Sequence, residues 1–343
     1  MKQIRILDFR FWIEASEHKR IIQLVICTSL IAFCRFAEAQ QPKRVPRIGF
    51  VNTEGSAQAP GPQFEAFRQG LRELGYIEGG NILIELRYPQ EKAERTAGLV
   101  TELVQLKVDL LVLGAQPAIR AAKHATKSIP IVIVTTQNPV AAGFVDSLAR
   151  PGGNITGVTR LTRELAGKRL ELLKEVLPDI SRVGALVSET QTENDFKPYE
   201  APARALKIQL QLLKVREPNP DFEKALQAAA KWRATALITV SGSLFNRHIK
   251  HFAEVAIRHH LPSMHERVRY VEEGGLMSYS ANDAANYRRA AAYVDKILKG
   301  AKPADLPVEQ PTDFDLAINL KTAKQIGLAI PPNVLARADR VIR

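Results

Sequence analysis

From Arg47 onward, short uninterrupted apolar runs alternate with stretches whose apolar residues recur every three or four positions. The runs Ile48–Val51, Ile82–Leu86, Val108–Leu113 and Ile131–Val134 predict strands. Between them, Phe64, Phe67, Leu71 and Leu74 share one helical face that Gly75 closes. Leu99, Val100, Leu103 and Val104 mark a second helix, and residues 115–125 a third. Strands that are apolar throughout, separated by helices, predict a parallel sheet covered on both faces. The rhythm restarts after residue 160. There it predicts helices at 161–177, 202–206, 222–232 and 249–258, and strands at 183–187, 208–213, 236–240 and 276–279. Ala290, Val294, Ile297 and Leu298 then line one face of a helix that ends at Gly300. A Pro-rich connector (302–311), a strand (314–319), a helix from Lys321 and a stop at Pro331-Pro332 complete the chain. The predicted fold class is α/β, with two lobes on parallel sheets joined by a hinge of several chain crossings. The crossings are expected near 156–159, 278–281 and 311–315. The first is Gly-rich, with the run Pro151–Gly157, and such residues suit a hinge rotation.

The N-terminus reads as a targeting segment. Lys2, Arg5, Arg10, Lys19 and Arg20 precede the apolar stretch 21–36, and Ala37-Glu38-Ala39 offers small residues where a signal peptidase cuts. Residues 1–39 are therefore expected to be a signal peptide; a retained anchor is the alternative. The apolar run is short for a membrane span and Arg35 interrupts it. Cys34 is a poor lipoprotein site, because bulky Phe33 stands before it. Both cysteines, Cys27 and Cys34, lie in this segment, so the remaining chain has no disulfide, thiolate metal site or cysteine nucleophile.

Composition narrows the picture further. A chain of 343 residues with 45% hydrophobic and 24% charged residues is ordinary for a globular protein of two domains. The net charge of +12 raises the question of nucleic acid. Arg120, Lys123, Lys127, Arg204, Lys207, Arg288 and Arg289 are scattered along helices, without a basic run or interleaved aromatics, so a solvated basic surface is expected and no nucleic-acid partner. No G-x-G-x-x-G follows a strand, and neither a P-loop nor a G-x-S-x-G elbow occurs. His248 and His251 are spaced to share a metal, but lack an acidic or third histidine partner and sit among Arg247, Lys250 and Arg258. No catalytic residue, metal or cofactor is expected.

Three long segments carry a family resemblance. They are LPVEQPTDFDLAINLKTAKQIG within 288–343, IPIVIVTTQNPVAAGFVDSLARPGGNITGVT at 129–159, and EGGLMSYSANDAANYRRAAAYVDKILKG at 273–300. With the opening 48–74, they carry the resemblance from the first predicted strand to the last predicted helix. The chain resembles the ABC-type solute-binding family whose better-known members are linked to import of aromatic amino acids. The resemblance implies two Rossmann-like lobes of the type I periplasmic-binding-protein kind, 45–157 with 280–312 and 158–279 with 313–343. It implies a periplasmic receptor that closes on a small solute, such as an amino acid, and docks on an ABC permease with its ATPase. The alternative is a ligand-binding subunit of a sensory membrane system. One departure stands out: Asn138 occupies a position where members usually have Asp before Pro-Val, which removes a charge that would suit an ammonium.

Ligands of open α/β sheets bind beyond the carboxyl ends of the strands. Those ends present Asn52-Thr53, Gln116-Pro117 and Thr136 to Asn138 in the first half, and Glu189, Ser241, Ser243 and Tyr279 in the second. Free N–H groups near Ala115–Ala118 suit a carboxylate, Glu189 or Glu266 suits an ammonium, and Tyr279 or Phe245 suits a ring. Each has a plainer reading. Asn52, Thr136 and Asn138 also suit turn caps, Ser241 and Ser243 a helix cap, Gln116 a helix start, Glu189 a solvated loop and Tyr279 the core.

Overall fold

The computed structural model describes residues 44–343, except 52–55, 57, 90–94, 161, 192, 218 and 241–242. The predicted targeting segment therefore lies outside the described residues.

The first sheet holds β1 (Arg47–Val51), β2 (Leu83–Arg87), β3 (Leu110–Leu113), β4 (Ile131–Thr135) and β5 (Ile155–Thr159), in the order β2-β1-β3-β4-β5. All its pairings are parallel. The runs LLVL and IVIV form β3 and β4 because helices cover both faces, and every one of those eight side chains is 0% exposed. The covering helices are α1 (Pro62–Glu73), α2 (Arg95–Gln105) and α3 (Gln116–Ala125). Phe64, Phe67 and Leu71 form the buried stripe of α1, and the rings of Phe64 and Phe67 lie 5.3 and 5.2 Å from Phe50 of β1.

The second half begins with α4 (Ala166–Val176), β6 (Arg182–Ser188), α5 (Glu193–Ala205) and β7 (Gln209–Val215). It continues through α6 (Phe222–Lys231), β8 (Ala236–Thr239), α7 (Ser243–Arg247), α8 (Ile249–Arg258), β9 (Ser263–His265), α9 (Val268–Glu272) and β10 (Met277–Ala281). After α10 (Asp283–Leu298) come β11 (Phe314–Asn319), α11 (Leu320–Gln325), α12 (Pro332–Leu335) and β12 (Arg340–Ile342). The second sheet runs β12-β11-β10-β9-β8-β6-β7; only the β10–β11 pairing is antiparallel.

The chain passes between the sheets three times. It leaves β5 for α4, returns from β10 through α10, and leaves again after Glu309 for β11. Helix α10 belongs to the first sheet's core: Tyr287, Ala290, Ala291, Tyr293 and Val294 pack with Ile48, Phe50, Phe67 and Leu71. The segment after α10 runs beside β5, with Glu309 N–H donating to the Gly157 carbonyl and Thr159 N–H to the Glu309 carbonyl, both at 2.9 Å.

Two predicted elements change. The Gly-rich run ends in a strand rather than in the hinge itself. Val158 and Thr159 pair with Val134 and Thr135 in the first sheet. Gly157 has φ +138°, and a Cβ there would sit 2.2 Å from the Ile133 carbonyl oxygen, so this glycine serves close strand packing. Helix α5 starts nine residues before the predicted 202, because Pro198 and Pro202 lie inside it and masked its period.

Candidate functional site

The candidate site is drawn from the loops that follow the strands. After β3, Ala115 leads into α3 with extended backbone and no side-chain cap, and Pro117 lies in the first turn. The Gln137 amide, after β4, donates to Gln116 Oε1 at 2.8 Å and so ties these two loops together. Thr136 is half-buried. Asn138 is exposed, and its Oδ1 accepts from the backbone N–H of Val140 at 3.0 Å and Ala141 at 3.2 Å, as a turn cap does. Asn52, Thr53 and Ser241, and the side chain of Ser243, lie outside the described residues.

In the second half, Glu189 is exposed and accepts from Glu217 N–H at 3.3 Å. Tyr279 is half-buried against the second sheet's core, and its ring stacks on Phe314 at 5.8 Å. Two further expectations are overturned. Phe245 is 0% exposed in the core under α8, 6.2 Å from Phe222, and has no open face for a ligand ring. Glu266 is already partnered inside the fold: Tyr199 donates to it at 2.8 Å, and Arg169 stands at 3.4 Å. Beside it, His265 is fully buried between Thr239 and Ser263, and burial drives its pKa down to about 3, so it stays neutral. His248 precedes α8 and His251 packs on Phe222 at 5.5 Å. Among the described residues no group of acidic, histidine or cysteine side chains is arranged to hold a metal.

The charged groups at the strand ends lie elsewhere, and the sequence reading missed them. Arg160 directly follows β5 and is 7% exposed. Its Nε stands 3.1 Å from Asp283 Oδ1, at the start of α10. Arg267, between β9 and α9, meets the other Asp283 oxygen at 3.2 Å. The Gln63 side chain, in the first turn of α1, also favours the charge on this carboxylate. Burial works against the Asp283 charge, but Arg160 and Arg267 with Gln63 outweigh it and hold its pKa below the usual aspartate value. Arg160 reaches the Tyr287 hydroxyl at 3.3 Å, and a Cβ at Gly114 would stand 2.4 Å from that hydroxyl. The cluster therefore joins the carboxyl ends of strands from both sheets. Strand-end logic would have found Arg160 had β5 been read as a strand.

The profile of the family described as "ABC transporter substrate binding protein" matches residues 57–342. The chain belongs to this family. The "Tyrosine-binding protein" of Clostridioides difficile is 24% identical over 265 residues, 77% of this chain and 76% of that one. A crystal structure of a conserved domain protein from Vibrio cholerae superposes with a TM-score of 0.77 at 27% identity, covering 87% of this chain and 100% of that one. The ABC domain in complex with L-Trp from Streptococcus pneumonia gives 0.75 at 24% identity, over 87% and 99%. As an ABC transporter substrate binding protein, the chain is a solute-binding component with two α/β lobes, and its family is one of binding proteins rather than enzymes. Among the described residues no helix is long and apolar enough to cross a membrane.

Proposed function

We propose that this protein is the periplasmic receptor of an ABC importer, capturing a small solute of the amino-acid class or a related carboxylate between its lobes. The observation that carries this reading is the convergence of strand carboxyl ends from both sheets on one polar cluster, spanned by three chain crossings. The tyrosine- and L-Trp-linked relatives support the ligand class. Closure rotates 45–157 with 280–312 against 158–279 with 313–343, and the solute favours the closed state by its extra contacts there. The closed form docks on an inner-membrane permease with its ATPase, and the segment 1–39 directs export. Loops bearing Gln116, Pro117, Thr136 and Asn138 face Glu189 and Tyr279 across the site in this reading, and Asn52, Thr53, Ser241 and Ser243, which follow β1 and β8 in sequence, are further candidates.

A thermal-shift screen of purified, unfolded and refolded protein tests it against amino acids, carboxylates, nucleosides, sugars and small peptides. A solute that binds only the folded state raises the melting temperature by mass action. A shift confined to amino acids and carboxylates is the expected result; no shift from any class refutes the receptor reading.

A further inference from the structure

Arg160 has far more donor capacity than the fold uses. A guanidinium carries five N–H donors. Among the described residues this one donates a single hydrogen bond, to the Tyr287 hydroxyl at 3.3 Å. Its Nε approaches Asp283 at 3.1 Å, yet that buried atom has no hydrogen-bond partner. The side chain is 8% exposed, so water supplies little in compensation.

A second donor nearby is also unmet. The Asn286 amide nitrogen is buried without an acceptor, in a residue only 4% exposed. Asn286 lies three residues after Asp283 and one before Tyr287, so all three share a face of α10. Arg160 covers the two residues that flank it on that face.

Charge points the same way. Asp283 is met by two guanidiniums, leaving the contact cluster with one net positive charge. Asp283 is 32% exposed on its side chain, so the cluster has an open side. The neighbouring acids are otherwise engaged: Glu266 with Arg169 and Tyr199, and Asp315 with Asn282 at 3.0 Å.

We infer that Arg160 and Asn286, with Arg267 as the second cation, form the subsite that receives the carboxylate of the solute, while Asp283 positions the two guanidiniums. Unmet donors and a surplus positive charge call for an anionic acceptor, and a carboxylate matches the flat guanidinium fork. This inference rests on the receptor reading given above.

The test uses matched pairs of acid and primary amide on refolded protein: L-tyrosine and L-tyrosinamide, L-tryptophan and L-tryptophanamide, benzoate and benzamide. Uncharged sugars and nucleosides run alongside at millimolar concentration, read by thermal shift and calorimetry. At least one acid is expected to bind, with its amide about tenfold or more weaker, the loss of one charge-assisted hydrogen bond. Arg160→Met should abolish that preference by weakening the acid and sparing the amide. Asn286→Leu and Arg267→Gln, read by the same ratio, carry the test if Arg160→Met does not melt cooperatively. Equal binding of acid and amide, or an unchanged preference in folded variants, overturns the subsite. Binding of sugars or nucleosides alone overturns it and leaves the receptor standing. Silence from every compound takes down both.

Discussion

Arg169 and Glu266 form an ion pair with side chains 1% and 3% exposed. Such a pair is held together by its surroundings: Arg169 Nε donates to the Tyr279 carbonyl at 2.8 Å and Nη1 to the Thr162 carbonyl at 2.6 Å. Removing one partner leaves a buried charge uncompensated, at a cost of about 3–5 kcal/mol. Glu266→Gln should therefore destabilise the protein strongly in denaturant titrations, and a loss below about 1 kcal/mol would show that the charge is solvated after all. The neighbouring His265 gives a pH prediction. Its folded pKa, about 3, lies below the unfolded value near 6.5. Below pH 6.5 the unfolded chain takes a proton that the native state refuses. The contribution is complete above pH 6.5 and is lost as pH falls toward 3. Between pH 7 and 5 the wild type should lose about 2 kcal/mol more than His265→Gln. Parallel stability curves for the two proteins would refute a neutral buried imidazole. On the ligand side, Gln116→Ala removes the acceptor that Gln137 holds at 2.8 Å. It should weaken solute binding by about 1–3 kcal/mol if the paired amides form one wall of the site. Asn138→Ala removes a turn cap as well as a candidate ligand contact, so its effect should divide between stability and affinity. Calorimetry beside thermal melts separates the two, and unchanged affinity in both variants removes these loops from the site.

At the scale of elements, β5 is the strand that the sequence hid. Its register against β4 places Gly157 opposite Ile133 with φ +138°, where a side chain has neither room nor an easy backbone conformation. Gly157→Ala should cost about 1–3 kcal/mol, seen as a lowered denaturation midpoint with an unchanged slope. A neutral effect would mean that β5 pairs less closely than its register implies. The same strand explains what could and could not be read in advance. Runs such as LLVL and IVIV were legible because burial on both faces leaves no polar alternation to confuse them. Residues 249–258 and 314–319 were predicted with the bounds observed, since a sharp amphipathic face marks the first and Phe314, Leu316 and Ile318 alternate along the second. Ile155–Thr159 was not, because Gly and Asn around it mimic a flexible hinge. That one omission also hid Arg160, whose place in the proposed site follows only from the end of β5. Asp283 was hidden in the same way, behind a strand read to stop at 279 that continues to Ala281. Glu266 and Phe245 misled for the opposite reason: their positions after strands were right, but their partners are long-range and invisible to local pattern.

At the scale of the whole molecule, the second crossing returns α10 to the first sheet after more than a hundred residues spent on the second. A fragment that ends before α10 therefore has every strand of the first sheet but lacks a helix of its core. Without α10, the apolar surfaces of Phe50, Phe64, Phe67 and Leu71 lose Tyr287, Ala290, Ala291 and Val294 as neighbours. Burial of each large apolar side chain is worth about 1.5–3 kcal/mol, and a whole domain is stable by only about 5–15 kcal/mol. Losing one covering helix thus removes a large part of what holds the sheet together. The fragment 44–160 should lack a cooperative melt, and adding a peptide of residues 281–312 should restore helical and near-ultraviolet circular dichroism in a saturable manner. The peptide supplies both the helix and the strap whose Glu309 bonds to β5. The intact chain should then unfold in one transition, because neither lobe closes its core without strands or helices delivered through the crossings. A fragment 44–160 that melts cooperatively by itself would show that α10 decorates the first lobe instead of completing it. The crossings would then act as tethers alone, and closure would be a motion between two independently folded bodies.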